Sequence, residues 1–441
     1  MPLLKRSAEN DEFQTPRART CTTAAARMRD TERTVRRSVA MTSTKKAFFL
    51  LLKSFIGSGV LFLPRAFLNG GIVFSSIILS ISAMLSLYCM TLLVECYQRI
   101  PHGYSEIGRR LYGKGMGRAV QFSIVISQTG FACAGTIFVA TNIRDLFNAA
   151  TDCQYRYSLG FWVAAQLAFM IPVCLIRHIK GLSSFALFGD LFVLGGIVYV
   201  FVMDIKKIST LGTGFVRKFN PEDYSLFLGT AAYTFEGYAM ILPIADSMRK
   251  PEKFPQILTI VMALCGLITV TIGSVSYLAY GEETETIILL NMPSGTAATL
   301  TVQLLYSIAM LLTNPLMVYP AIRTLEHWLF PRRSGKHNVG VKMQKNAFRT
   351  SFLLAVTAIA VFGLDRLDKL VAIIGGSACV PISFIFPPLF HYRAVARTTR
   401  AKVIDLALAG FGVVACVYVT YNAIKRWGIA VPPSDFCDLA P

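Results

Sequence analysis

Residues 50–71 read LLLKSFIGSGVLFLPRAFLNGG, and residues 233–255 read YTFEGYAMILPIADSMRKPEKFP. Both stretches lie within long apolar runs and interrupt them in the same way. The first has Phe55-Ile56-Gly57-Ser58-Gly59 and then Leu63-Pro64; the second has Phe235-Glu236-Gly237 and then Leu242-Pro243. Glycine costs a helix up to ~1 kcal/mol relative to alanine, and proline removes a backbone donor and clashes with the preceding turn. Each helix is therefore expected to loosen at these points. In hydrocarbon, unwound backbone is tolerated only where protein buries it or where it lines a wet cavity.

The two runs belong to a series of eleven. Six are Ala47 to Leu68, Ile72 to Val94, Ala119 to Ile143, Leu159 to Ile176, Leu182 to Met203 and Tyr224 to Ala245. Five more are Phe254 to Tyr280, Gly295 to Ile322, Phe348 to Leu364, Leu370 to Phe390 and Val403 to Ile424. Their lengths are close to the ~20 residues that a helix needs to cross ~30 Å of hydrocarbon. With 54% hydrophobic and 16% charged residues, the chain has too little polar surface to cover itself in water. The segments do not alternate polar and apolar as the strands of a barrel would. The expected fold is all-α: a polytopic membrane protein of about eleven transmembrane helices.

Matching breaks in spans one and six are what a five-plus-five inverted repeat produces, with repeats at about 47–203 and 224–390 and one extra helix at 403–424. Half-helix N-termini then aim amides at an anionic group, while freed carbonyls receive a cation or an ammonium. A zwitterionic amino acid suits such a site. The plainer alternative is that Gly and Pro are commoner in membrane helices in general.

The net charge of +19 invites a nucleic-acid reading, which the placement of the 44 Lys and Arg answers. With a cytoplasmic N-terminus, 32 fall on the cytoplasmic side and 10 on the other; Lys53 and Arg65 lie inside span one. This is the positive-inside pattern, and it puts the N-terminus in the cytoplasm and the C-terminus in the lumen. No nucleic-acid partner is expected. The loop after span five runs against the bias, with Lys206, Lys207, Arg217 and Lys218. The basic loop from Arg323 to Arg349 suits either contact with anionic membrane lipid or a plain role in topology. Residues 1–46 carry 11 Lys or Arg, 5 Asp or Glu and no apolar run, and read as a disordered cytoplasmic tail. Residues 426–441 form a short lumenal tail.

None of the ten cysteines makes a metal-ligand spacing, and neither a metal nor another cofactor is expected. Cys153 and Cys437 alone fall on the oxidising side, which leaves a disulfide or two free thiols as alternatives. No cluster of nucleophiles or acid-base pairs suggests an enzyme. Glu236 is the telling ionisable group, because a carboxylate at the helix centre costs ~2.5–3.5 kcal/mol on insertion scales and usually faces a substrate or ion path. Removal from water favours its protonated form, so Glu236 is a candidate for proton coupling. A structural reading has it capping the broken backbone or pairing with Lys53.

At these residues the sequence resembles the amino acid/auxin permease family, most closely its fungal-type vacuolar amino-acid exporters. The likeness is carried by residues 50–71, by SQTGF at 127–131 with IFVATN at 137–142, by 233–255, and by LTNPLMVYPAIRTLE at 312–326. It covers residues 45 to about 425. The resemblance implies a fold like that of amino acid/polyamine/cation transporters and export of small, mainly neutral amino acids from an acidic vacuolar or lysosomal lumen to the cytosol, with proton-coupled and facilitated export as alternatives. Carried over by position, it implies that Ile56, Gly57, Ser58 and Gly59 hold the substrate through backbone groups. Phe235, Glu236 and Gly237 would face them, with Phe131 and Thr313 contributing from spans three and eight. An amino-acid sensor using the same pocket and signalling through cytoplasmic segments is the rival reading.

Two departures bear on this. The proton-assisted branch carries His three residues before the span-one Lys, where this chain has Leu50. Many relatives carry Tyr where this chain has Gly135, and the missing ring is expected to widen the pocket.

Overall fold

In the computed structural model of the protein, residues 42–57, 59–176, 182–293, 295–331, 338–432 and Cys437 are described, without the side chains of 182–188 and 190. The expected disordered tail lies outside them up to residue 41, and so does Ser58.

Every apolar run forms one helix or a pair. Span one is Thr44–Phe55 and Gly59–Gly70, two Ile72–Arg99, three Lys114–Ala150, four Leu159–Ala165 and Leu167–Leu175, and five Leu182–Leu211. Span six is Tyr224–Thr234 and Tyr238–Ser247, seven Phe254–Tyr280, eight Ala297–Leu329 and nine Val339–Phe362. Span ten joins Leu367–Ile374 to Phe386–Ala394 through wider π-helical turns at Gly375–Cys379 and Pro381–Ile385. Span eleven is Thr399–Lys425. Among the described residues, seven of these helices are long and apolar enough to cross a membrane alone, and the pair in span one, bent by 45°, makes an eighth.

Local chemistry sets many of the helix starts. Ser43, Ser158, Thr296, Asn338 and Thr398 each accept a hydrogen bond from a first-turn amide, which satisfies a donor that the helix itself leaves open. Between spans two and three the short helix Tyr104–Tyr112 lies outside the membrane spans. On it, Arg109 hydrogen-bonds Glu106 at 2.5 and 2.6 Å and holds its carboxyl down at about 2.

Spans one and six run antiparallel and are tied at both ends. Thr42, before span one, exchanges backbone hydrogen bonds with the end of span six: its N–H donates to Ser247 at 2.8 Å and its carbonyl accepts from Arg249 at 3.1 Å. At the opposite face Ile72 N–H donates to Arg217 at 2.8 Å, and Asn220 N–H to Gly70 at 3.1 Å. Gly71 makes that junction possible. Its φ is +83°, and a Cβ there would lie 2.6 Å from the Phe219 backbone, so no side chain fits.

Within an 18-residue apolar stretch of each, span three has 72% of its residues buried and span ten 83%, whereas spans nine and eleven have only 22%. The outer pair exposes residues such as Leu354, Ile359, Val413, Val414 and Val417, as a lipid-facing surface requires. The face on which the chain ends is held by polar pairs. Arg217 meets Glu282 at 2.7 Å, Arg426 pairs with Asp223, and Lys207 lies 3.7 Å over the Tyr280 ring. The basic loop after span five is thus compensated locally by acids and an aromatic on its own face. Cys153, after span three, and Cys437 form a disulfide across 284 residues, which decides between the two alternatives for these thiols.

Candidate functional site

The breaks in spans one and six are present and adjacent. Span one stops at Phe55; Ile56, 7% exposed, leaves the helix at φ −92°, ψ 107° with its N–H still bonded to Leu52. The helix resumes at Gly59. Span six stops at Thr234 and resumes at Tyr238, with Phe235, Glu236 and Gly237 between. Because the two spans are antiparallel, both second halves begin, and both first halves end, in the same zone. The first turns of both second halves and the last turns of both first halves, helix ends that leave backbone groups without intrahelical partners, converge there, although Leu52, Tyr233 and Gly237 carbonyls still accept from the Ile56, Glu236 and Met240 amides at 2.9, 3.3 and 3.0 Å.

The side chains around this zone come from span six itself and from two further spans. The Tyr306 hydroxyl of span eight donates to the Gly57 carbonyl at 3.4 Å, and its ring lies 5.2 Å from that of Phe138 in span three. A Cβ on Gly57 would meet nothing within 4 Å, whereas one on Gly59 would meet the Tyr233 ring at 3.6 Å. Phe131 of span three packs on Tyr233 with ring centroids 4.4 Å apart. Gly57, Gly59, Phe131 and the Phe235-Glu236-Gly237 break are thus gathered in one place. Ser58 lies outside the described residues. Thr313 is not shown joining them: its hydroxyl donates to Ala309 of its own helix at 2.8 Å.

Glu236 is 6% exposed, and its Oε1 has no hydrogen-bond partner among the described residues. Oε1 therefore makes neither the cap on the broken backbone nor the bond to Lys53 that the structural reading offered. The Tyr233 hydroxyl beside it is buried and equally unpartnered. Buried polar atoms are nearly always satisfied in native structures, and an orphan calls for an explanation such as a ligand, an ion or a titration.

The expectation at Gly135 is overturned. A Cβ there would come within 2.3 Å of Asn314 Oδ1, so the missing ring does not widen a pocket; it lets spans three and eight approach. Asn314 is fully buried, donates to Thr136 at 3.3 Å and leaves its Oδ1 without a partner. Tyr233, Tyr306 and Asn314 escaped the sequence reading as site residues. Tyr233 and Asn314 stood inside quoted motifs, but nothing in the pattern told which face each presented. The π-helical turns of span ten left no signal beyond Gly375-Gly376 and Pro381. There the Gly375 Cα lies against the Gly229 carbonyl of span six, where a Cβ would come within 1.9 Å.

Against this geometry, the comparisons with known proteins are consistent with one another. Two solved structures share the fold: MhsT in complex with L-phenylalanine (TM-score 0.52, 14% identity, 86% of this chain and 98% of that one) and inward-facing Mhp1 (TM-score 0.58, 13% identity, 88% and 90%). At the sequence level the chain is 43% identical over 396 residues to vacuolar amino acid transporter 3 of Saccharomyces cerevisiae and 40% identical over 379 residues to that of Schizosaccharomyces pombe. These matches cover 87% and 86% of this chain but only 57% and 58% of the relatives, so the chain spans less than two thirds of their length. Residues 40–425 match the family described as transmembrane amino acid transporter protein, and the chain belongs to that family.

Proposed function

We propose that the chain carries small, mainly neutral amino acids across a vacuolar or lysosomal-type membrane, from lumen to cytosol, by alternating access about the two broken spans. The observation that carries this reading is the convergence of the span-one and span-six breaks, which brings four helix ends together. An amino acid is a dipole of fixed length, and helix ends of opposite polarity at mid-membrane are suited to hold both of its poles. In this reading the backbone of Ile56, Gly57, Ser58 and Gly59 binds the carboxylate and ammonium. Phe131, Tyr233 and Phe235 bound the side-chain space. Glu236 is the proton-coupling or gating group, since its oxygen faces the break without a partner. The face that carries Cys437 is the lumenal one, as the distribution of basic residues favours.

The experiment is a panel of labelled neutral, acidic and basic amino acids in vesicles reconstituted with the full chain, with and without an imposed pH gradient. The expected result is saturable flux of neutral members, stimulated when the compartment facing the Cys437 side is acidic. Absence of flux for every member would sink the reading, whereas flux confined to charged members would correct the substrate class.

A further inference from the structure

Three ionisable side chains from three spans meet on the face opposite Cys437, where spans two and ten end and span eleven begins. His391 of span ten is 7% exposed and lies between two carboxylates. Its Nδ1 is 2.7 Å from Asp405 Oδ2 of span eleven, and its Nε2 is 3.3 Å from Glu95 Oε2 of span two. The two carboxylates differ in setting. Asp405 is buried, with an Oδ1 that has no partner, whereas the Glu95 side chain is 44% exposed.

The cations nearby are engaged elsewhere. Arg393 lies 4.8 Å over the Tyr112 ring and Lys402 5.8 Å over the Tyr392 ring, Arg109 and Arg110 hold Glu106, and Arg99 is exposed at the end of span two. Tyr104 and Tyr112 of the short helix give their hydroxyls to the Ile382 and Leu389 carbonyls. Tyr88, Cys89 and Cys96 of span two also stand within electrostatic reach of Asp405 and bring no positive charge. His391 is thus the group that answers the Asp405 carboxylate.

Imidazole chemistry then sets an order of loss. A protonated ring donates from both nitrogens and serves both carboxylates, whereas a neutral ring carries a single N–H. Giving up the bond to buried Asp405 costs more than giving up the one to Glu95, which water can replace. The neutral ring therefore keeps its hydrogen on Nδ1, and its bare Nε2 lone pair repels the Glu95 carboxylate. Span two is in turn bonded to the second half of span six. The Tyr238 hydroxyl donates to the Ser86 carbonyl at 3.1 Å, and the Tyr97 hydroxyl, two residues beyond Glu95, donates to Asp246 Oδ1 at 2.5 Å.

We propose that Glu95, His391 and Asp405 form a proton-operated latch on the face opposite Cys437. A proton on Nε2 ties span two to spans ten and eleven; its loss to water frees span two, and with it the second half of span six, so that this face opens. The effect on flux rests on the transport reading, while the latch itself does not.

The test reads the separation of spin labels on Gln98→Cys and Arg397→Cys, both exposed, in the purified full chain between about pH 5 and pH 8, where imidazole side chains ordinarily change charge. The same chain labelled without the two substitutions supplies the background. The separation should lengthen as the pH rises, and in Glu95→Ala and His391→Gln it should be long throughout. In vesicles, flux of labelled L-leucine should slow by about threefold when the compartment opposite the Cys437 face is acidified over that range, and Glu95→Ala should abolish the slowing. A separation independent of pH, a response unchanged in Glu95→Ala, or a flux indifferent to that pH overturns the latch and leaves the transport reading standing. A pH-dependent separation that Glu95→Ala abolishes, in a chain that moves no labelled amino acid, overturns transport and leaves the latch standing.

Discussion

Gly237 of span six stands against the ring of Phe55 in span one so closely that a Cβ would lie 2.6 Å from the ring edge. The residue that closes one break is thus packed on the residue that opens the other. Gly237, at φ 173° and ψ 6°, lies outside the left-handed region, and the space beside the Phe55 ring is what requires its glycine.

Gly237→Ala should therefore push the two spans apart. Overpacking of this kind costs ~1–3 kcal/mol; the expected outcome is a lower melting temperature in detergent and a flux reduced by about tenfold. Phe55→Leu in the same chain should restore both. A Gly237→Ala protein that melts and transports like wild type would show that the contact has no part in positioning the breaks.

Glu236→Gln keeps the shape of a buried side chain and removes its ability to exchange a proton. If Glu236 couples protons, amino-acid flux in this variant should lose its stimulation by an imposed pH gradient and keep the rate seen without one. Equal stimulation in Gln and wild type would assign the carboxylate a structural role.

Gly135→Ala should destabilise the chain, because the new methyl meets Asn314 Oδ1 at 2.3 Å. The expected loss is ~1–3 kcal/mol, larger still for Gly135→Tyr, and Asn314→Ala should relieve it. Wider substrate acceptance in wild type than in a well-folded Gly135→Tyr chain would speak instead for a pocket at this position.

Two ion pairs outside the breaks should differ sharply. Arg349 hydrogen-bonds Glu326 at 2.6 Å with side chains 4% and 8% exposed, and also donates to the Cys174 carbonyl at 2.7 Å. Glu326→Gln leaves the guanidinium buried without its charge partner and should cost ~3–5 kcal/mol. The exposed Arg109–Glu106 pair, screened by water, should contribute far less. Thermal unfolding of Glu326→Gln and Glu106→Gln side by side reads the difference.

Cys153→Ser should release the C-terminal tail and leave the helical core assembled, since the spans are held by their own packing. Limited proteolysis should cut beyond Lys425 in the variant and spare the disulfide-linked wild type. Loss of folded protein in Cys153→Ser would instead make the cross-link part of the core's stability.

Much of this is legible in the amino-acid sequence. The runs, the paired breaks and the bias of basic residues are properties of short stretches, and each has a local physical cause: hydrocarbon thickness, the helix-breaking of Gly and Pro, and the positive-inside preference. The breaks fell where Phe55-Ile56-Gly57 and Phe235-Glu236-Gly237 placed them. Glu236 was conspicuous because a lone carboxylate in an apolar run is costly wherever it points. The loop after span five read as an anomaly in topology, because its compensating Glu282 and Tyr280 lie two spans further along the chain.

By itself, then, the sequence determined an all-α membrane-spanning chain with two interrupted helices, since polarity and helix propensity act residue by residue. The tertiary structure alone decided that Asn314 fills the space beside Gly135, that Gly237 packs on Phe55, and that Cys153 reaches Cys437. Each of these is a relation between residues far apart in the chain. The apolar pattern of a membrane helix shows that it is buried in lipid or protein but leaves open which neighbour each face meets, because lipid and protein interior are nearly equal as solvents for an apolar side chain.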